Sequence, residues 1–146
     1  QVPRWEDLAG PTDAAANSLL AAYRPAVYGF EVLAARARGE ERTAYEEVLA
    51  PLRTATRQIT QLAGKAAAPA PLGYGLPSGT GDEEGRKRLA GELLAALPPA
   101  IMGQTRAFAG DGDSVAGSVR LLADAVRLAQ PWNAVTGFPG MRVPGA

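Results

Sequence analysis

Acidic side chains are the first candidates for chemistry, because the 146 residues include no histidine and no cysteine. In a bundle of four helices with one long crossover, four of them fall at similar heights: Glu31, Glu47, Glu92 and Asp124. Oxygen ligands of this kind bind Mg²⁺, Ca²⁺ or Mn²⁺. Helical spacing nevertheless places Glu47 and Asp124 opposite the apolar stripes of their helices, and only Glu31 borders the core. We therefore predict no metal site and no cofactor.

A nucleophilic serine would lack its usual base. Such catalysis pairs the hydroxyl with a neighbouring base, and without histidine only a lysine or a carboxylate could serve. The glycine-rich run 73–81 (GYGLPSGTG) lacks the lysine and the preceding strand of a phosphate-binding loop. We predict no catalytic residue and favour a non-enzymatic role, while an enzyme stays open.

Aromatic residues outside the predicted helices are candidates for binding: Trp5, Trp132 and Phe138. Such side chains either fasten chain ends to a domain or anchor a protein–protein interface. We favour packing within the chain, and we keep all three residues as candidate interaction anchors.

The elements that would position these residues are helices, since apolar residues recur at intervals of three and four. Gly39 and Gly64 are suited to end the first two helices. Capping boxes at 43–46 and 80–83 favour the starts of the second and third helices. The clearest apolar stripe belongs to the fourth helix: Val115, Val119, Leu122, Val126, Leu128 and Ala129.

Three positions with proline shape these helices. Pro25 and Pro51 lie at nearly the same height in the first hairpin, and we interpret them as matched kinks that curve it around the core. Pro98-Pro99 is predicted to break the third helix. The Pro/Gly-rich segment 65–81 is long enough, at about 3.3 Å per residue, to cross the whole bundle.

The predicted fold is all-α, a single domain over residues 1–146. Two helical hairpins joined by one long crossover form a ferritin-like up-down four-helix bundle. Its predicted parts are an extension (1–11), helix 1 (12–39), helix 2 (40–64), the crossover (65–81), helix 3 (82–109, broken at 98–99), helix 4 (113–130) and a tail (131–146).

Composition limits the partners. The 15 basic and 15 acidic residues cancel, which does not suggest a nucleic-acid-binding protein. No apolar run approaches the roughly 20 residues of a membrane-spanning helix, although peripheral association with a membrane stays open. The chain begins at Gln1 without an initiating methionine, and we prefer an extracytoplasmic location to a cytoplasmic one.

Two runs of the chain resemble an uncharacterised ferritin-like family of actinobacteria. They are Leu20-Ala-Ala-Tyr-Arg-Pro-Ala-Val-Tyr-Gly-Phe30 and Val48-Leu-Ala-Pro-Leu-Arg53, with Tyr74-Gly-Leu76-Pro77 in the crossover. That family usually carries Glu-His in the first run and His-Arg in the second, where this chain has Tyr23-Arg24 and Leu52-Arg53. The resemblance, which covers residues 13–130, implies a ferritin-like fold. It also implies that packing residues occupy the positions where the family carries metal ligands.

Three functional hypotheses follow. The favoured one is a non-catalytic protein-interaction or accessory subunit, in an envelope-associated assembly, whose partner is another protein. A carboxylate-only metal-binding oxidoreductase or metal-storage protein would require Glu31 to point inward beside a second carboxylate. A small-ligand carrier would require a closed apolar cavity between helices 1, 2 and 3, near Pro25 and Pro51.

Overall fold

The computed structural model describes residues 12–69, 75, 77–104 and 112–132, which form helices and connecting segments with no strand. The helices are α1 (Thr12–Arg36), α2 (Gly39–Ala63), α3 (Glu83–Ala95), α4 (Leu97–Gly103) and α5 (Gly112–Ala129). Short 3₁₀ turns, Gly64–Ala66 and Gln130–Trp132, follow α2 and α5. Among these helices none is long and apolar enough to cross a membrane. The prediction of an all-α bundle is confirmed.

α1 and α2 form an antiparallel hairpin that turns at Gly39. Its φ of +59° is a left-handed backbone conformation that glycine adopts without steric cost. Gly39 was expected to end helix 1, whereas α1 ends at Arg36 and Gly39 is the first residue of α2. The prediction that a capping box at 43–46 starts the second helix is wrong, because α2 already begins at Gly39. Thr43 lies inside the helix, and its Oγ1 donates to the Gly39 carbonyl over 3.2 Å.

The two ends of the crossover lie at opposite ends of the bundle. Near the start of α1, Asn17 Oδ1 accepts a 2.8 Å hydrogen bond from the backbone N–H of Ala68. Near the hairpin turn, the carbonyl of Thr80 accepts a 3.1 Å bond from Arg86 Nη1. Since the crossover returns the chain to the hairpin end, α2 and α3 run in the same direction.

Within the described residues, the third predicted helix (82–109) is divided into α3 and α4, and its positions 105–109 lie outside the described part of the chain. The break lies at Ala96, two residues before the predicted position 98–99. Pro98 and Pro99 sit in the first turn of α4, where the missing N–H of proline has no helical partner to lose. The start of α3 also differs from the prediction, because Asp82, not Thr80, caps it by accepting from Gly85 N over 2.7 Å.

The buried face of α5 is rotated from the predicted stripe. Ser118, Leu121, Ala125 and Ala129 are buried, whereas Val119 is 58% exposed. Leu122, Val126 and Leu128 are only partly covered. Against α3 and α4 the bundle therefore uses the side of α5 with smaller residues, and part of the predicted core stripe meets solvent.

Candidate functional site

The four acidic residues at similar heights do not form a site. Glu31 is exposed, and its Oε2 accepts a 2.8 Å hydrogen bond from Arg53 Nη2 on α2. Glu47, Glu92 and Asp124 are exposed as well. Within the described part of the chain, no three residues among His, Cys, Asp and Glu lie together as a metal site would require. The inward Glu31 of the carboxylate-only hypothesis is therefore not found.

The two positions where the resemblance implied ligands belong to the core. Tyr23 is 2% exposed and Leu52 is fully buried, which confirms their placement on the core stripes. Burial raises the pKa of Tyr23, and the nearby negative charge of Asp124 raises it further. Tyr23 is consequently a neutral packing residue over the physiological pH range.

A largely buried polar cluster lies at the hairpin end of the bundle. Arg86 of α3 donates two hydrogen bonds to Glu41 of α2, from Nε to Oε2 over 2.7 Å and from Nη2 to Oε1 over 2.9 Å. Tyr45 donates its hydroxyl to the same Glu41 Oε2 over 2.8 Å. The Arg86 and Glu41 side chains are only 13% and 12% exposed. We name Glu41, Tyr45, Arg86 and the Thr80 carbonyl the Glu41 cluster.

Tyr45 also belongs to an aromatic trio with Phe30 and Trp132. Trp132 stacks on Tyr45 with ring centroids 5.3 Å apart and an interplanar angle of 25°. Phe30 meets both rings edge-on, 6.1 Å from Tyr45 and 6.3 Å from Trp132. Such pairs contribute about 0.5–1.5 kcal/mol beyond the area they bury. The trio thus joins α1, α2 and the turn after α5.

Short-range sequence features place each member of the cluster. Glu41 and Tyr45 are four residues apart and therefore lie on the same side of α2. The Asp82 cap fixes the first turn of α3, from which Arg86 reaches α2. Gly85 completes that turn, because a Cβ at this position would collide with the Gly79 carbonyl oxygen.

Gly91 allows the turn after α5 to touch α3. A Cβ on Gly91 would lie 2.5 Å from the carbonyl oxygen of Trp132, closer than a real Cβ can approach. Because Gly91 has no side chain, the backbone of Trp132 can lie against α3 while its ring packs in the aromatic trio.

The Glu41 cluster is suited to holding helices together, not to moving protons. The hydrogen bonds from Arg86 lower the pKa of Glu41. Burial raises the pKa of Tyr45, and its hydrogen bond to the Glu41 carboxylate raises it further. General acid–base catalysis works best with a pKa near the operating pH. These shifts move the pKa of both groups further away from neutral pH. The cluster is an electrostatic clamp between α2, α3 and the end of the crossover.

A family comparison covers the whole of this region. The model of the DUF4439 family, a domain of unknown function, matches residues 15–143. The chain belongs to this family. Among curated proteins and among solved structures, none matches it significantly. Every residue of the Glu41 cluster and of the aromatic trio lies within the matched range of this DUF4439 domain.

Of the three candidate anchors, Trp132 lies among the described residues, whereas Trp5 and Phe138 lie outside them. Trp132 is partly buried, and its ring packs on Tyr45 and Phe30. Packing within the chain accounts for that contact. A role in anchoring a partner stays a prediction for all three residues.

The Glu41 cluster itself was not predicted from the sequence. Glu41 and Arg86 are 45 positions apart, and each sits in the charged first turn of a helix, a pattern typical of solvated ends. One signal was present. Tyr45 falls on the buried stripe of α2, and a buried hydroxyl needs a hydrogen-bond partner, which Glu41 supplies from one turn away.

Near the height of the paired prolines, where the ligand-carrier hypothesis expects a cavity, α1 and α3 are in contact. At Gly29, one turn from Pro25, an added Cβ would collide with Cδ1 of Leu93 on α3. α1 and α3 therefore touch at this level. An open cleft lies elsewhere, beside the start of α3, and is lined by Pro77, Ser78, Gly79, Gly85, Arg88, Leu89 and Glu92.

Acidification is expected to remove the contribution of Glu41 to stability. Its folded pKa lies below the ordinary value of about 4.3. The contribution is therefore present above that value and is lost as the pH falls through the folded pKa. Urea unfolding from neutral pH to about pH 3 should show wild-type stability falling, with a flatter profile for Glu41→Gln.

Glu31→Gln is the matched control, because it removes the exposed ion pair with Arg53. Exposed pairs contribute little to stability, so this variant should remain close to wild type at neutral pH. Glu41→Gln should be clearly less stable there. An equal loss of stability in the two variants would contradict the role of the Glu41 cluster in holding the helices together.

At alkaline pH, deprotonation of two tyrosines is expected to accompany unfolding. The folded pKa of Tyr23 and of Tyr45 is raised, whereas tyrosine in an unfolded chain titrates near its ordinary value of about 10. Their contribution is therefore intact below about pH 10 and falls as the pH rises further. Phenolate absorbance and circular dichroism should show both phenolates forming only as helix content is lost. Phenolates of both residues in a fully helical protein would contradict the assigned burial.

Proposed function

We propose that this DUF4439 domain is a ferritin-like bundle of the actinobacterial kind that acts as a non-catalytic protein-interaction or accessory subunit. The topology supports the kinship. α2 and α3 run in the same direction on either side of the crossover, as in four-helix bundles with one long connection. The motifs around Tyr23 and Leu52 occur in the same order as in the family that the sequence resembles.

The filled interior supports a non-catalytic role. The resemblance places metal ligands at the levels of Tyr23 and Leu52, and both residues are buried in a continuous apolar core. A buried tyrosine of raised pKa and a leucine offer no ionised ligand at neutral pH. We infer that packing has replaced a ligand layer at these positions.

The apolar flank of α5 is the observation that carries the interaction role. We define it as Val119, Leu122 and Val126. Val119 is 58% exposed, and its two neighbours along the flank are partly exposed. Apolar surface removed from water contributes roughly 25 cal/mol per Å². A partner that covers the flank would gain this free energy without disturbing the bundle.

Val119→Glu tests the interaction role, with Arg120→Glu as the matched control on the same helix. Both residues are exposed, so neither change should alter helix content. Cross-linking in cells, followed by purification, should join the wild type and Arg120→Glu to a protein at fixed stoichiometry. Val119→Glu should weaken that association by at least about tenfold, since it places an unpaired charge in the interface. Retention of the partner by Val119→Glu would overturn the proposal.

A further inference from the structure

A cleft of about 400 Å³ lies between the end of the crossover and the exposed side of α3. Its volume falls in the range of small-ligand sites, about 300–1,000 Å³. The crossover and α3 each contribute three residues to its walls, which are Pro77, Ser78 and Gly79 from the crossover and Arg88, Leu89 and Glu92 from α3. We name it the α3 cleft.

Contacts within the chain hold the crossover wall of the cleft in place. Gly79 has a φ of +80°, which glycine adopts without steric cost, and its carbonyl oxygen lies against Gly85 in the first turn of α3. The next residue, Thr80, accepts a hydrogen bond at its carbonyl from Arg86 of the Glu41 cluster. The cleft is therefore shaped by the fold itself and does not need a ligand to form.

Two opposite charges line the cleft without pairing with each other. Arg88 and Glu92 are both exposed and, being four residues apart, lie on the same side of α3. Arg42 and Glu46 have the same order and spacing on α2, and they form an ion pair over 3.2 Å. Among the ion pairs of the described residues, none includes Arg88 or Glu92. A guanidinium and a carboxylate are thus both available to a ligand in the cleft.

We propose that the α3 cleft binds a free α-amino acid with an apolar side chain. The guanidinium of Arg88 donates to the α-carboxylate, which its planar fork of N–H groups matches, and Glu92 accepts from the α-ammonium. Pro77 and Leu89 supply apolar surface for the side chain of the ligand. Charge selects this class, because Glu92 repels a simple anion and Arg88 repels a simple cation. The site lies on α3 and is independent of the interaction role proposed for the flank of α5.

Three probes separate the two charges of the ligand. They are L-leucine, 4-methylpentanoate, which lacks the ammonium, and 3-methylbutylamine, which lacks the carboxylate. Titration of the full chain, followed by two-dimensional amide NMR, should show saturable shifts at Ser78, Gly79, Arg88 and Glu92 with L-leucine. Because the cleft is open and the ligand is small, we expect a Kd of about 1 mM. The other two probes should bind at least about tenfold more weakly, since each leaves one charge of the cleft without its partner.

Neutral variants assign each contact. Arg88→Gln and Glu92→Gln should each weaken L-leucine binding about tenfold. Glu92→Gln should also bind 4-methylpentanoate as tightly as L-leucine, and Arg88→Gln should bind 3-methylbutylamine as tightly as L-leucine, because a direct contact and its deletion are not additive. Glu84→Gln is the matched control, since Glu84 is exposed on the same helix and is not among the described residues that line the cleft. Its Kd should equal that of the wild type.

Three results would overturn the amino-acid site. They are the absence of saturable shifts with both L-leucine and the smaller L-alanine up to about 20 mM, well above the expected Kd, equal affinity for the three probes, and a Glu92→Gln variant that still prefers L-leucine to 4-methylpentanoate as the wild type does. Each would leave the interaction role standing, because Val119→Glu tests that role on α5. Retention of the partner by Val119→Glu would likewise leave the α3 cleft as a binding site.

Discussion

Replacing Tyr23 by alanine is expected to lower the free energy of unfolding by about 4 kcal/mol, the usual cost of deleting a large buried aromatic side chain. Tyr23 is 2% exposed and belongs to the continuous core. A cavity left there is bordered by packed helices that cannot fully collapse. Urea unfolding followed by circular dichroism measures the loss.

Two variants separate packing from other roles of Tyr23. Tyr23→Phe keeps the ring and should cost no more than about 1.5 kcal/mol, the net value of one hydrogen bond. Tyr28→Ala makes the same deletion on the same helix at a partly exposed position, and it should cost less than half as much as Tyr23→Ala. If Tyr23→Phe were as destabilising as Tyr23→Ala, the hydroxyl and not the packing would be the important part.

Gly91→Ala is expected to destabilise the fold by about 2–3 kcal/mol, the upper part of the range for overpacking. The added Cβ would lie 2.5 Å from the carbonyl oxygen of Trp132. Because this obstacle is backbone, the turn Gln130–Trp132 must move away from α3. Stacking of Trp132 on Tyr45 should weaken at the same time, which near-ultraviolet circular dichroism detects.

Gly103→Ala is the matched control, since a Cβ at Gly103 in α4 meets nothing within 4 Å. Alanine also has the higher helix propensity, by up to about 1 kcal/mol, so this variant should be as stable as the wild type or slightly more so. A Gly91→Ala protein that is equally stable, with unchanged aromatic ellipticity, would show that α3 does not hold the turn.

The parts of the fold that follow from local rules could be predicted. Apolar spacing placed Tyr23, Phe30 and Leu52 on the buried sides of α1 and α2. Gly39 was expected to end the first helix, because glycine readily adopts a positive φ, and it lies between α1 and α2 with a φ of +59°. The reach of segment 65–81 predicted a crossover, whose described ends lie at opposite ends of the bundle. Each of these features depends on neighbours in the sequence or on chain length.

The features that were missed depend on tertiary contacts. Periodicity gives the apolar arc of α5 but not which part of that arc faces α3 and α4, so Val119 was assigned to the core. The break at Ala96 depends on how α4 packs, and Pro98 can occupy either the end of one helix or the start of the next. The pairing of Glu41 with Arg86 requires the crossover to bring the two first turns together.

Native mass spectrometry of the protein isolated gently from its own cells, without chelators, tests the central claim most directly. That claim is a bundle with a filled interior that works by binding another protein chain. The expected spectrum contains the chain in complex with a protein, a second copy or a different subunit, and no stoichiometric metal. The chain alone with one or more bound transition-metal ions would contradict the claim and return Glu31 and the other carboxylates to consideration.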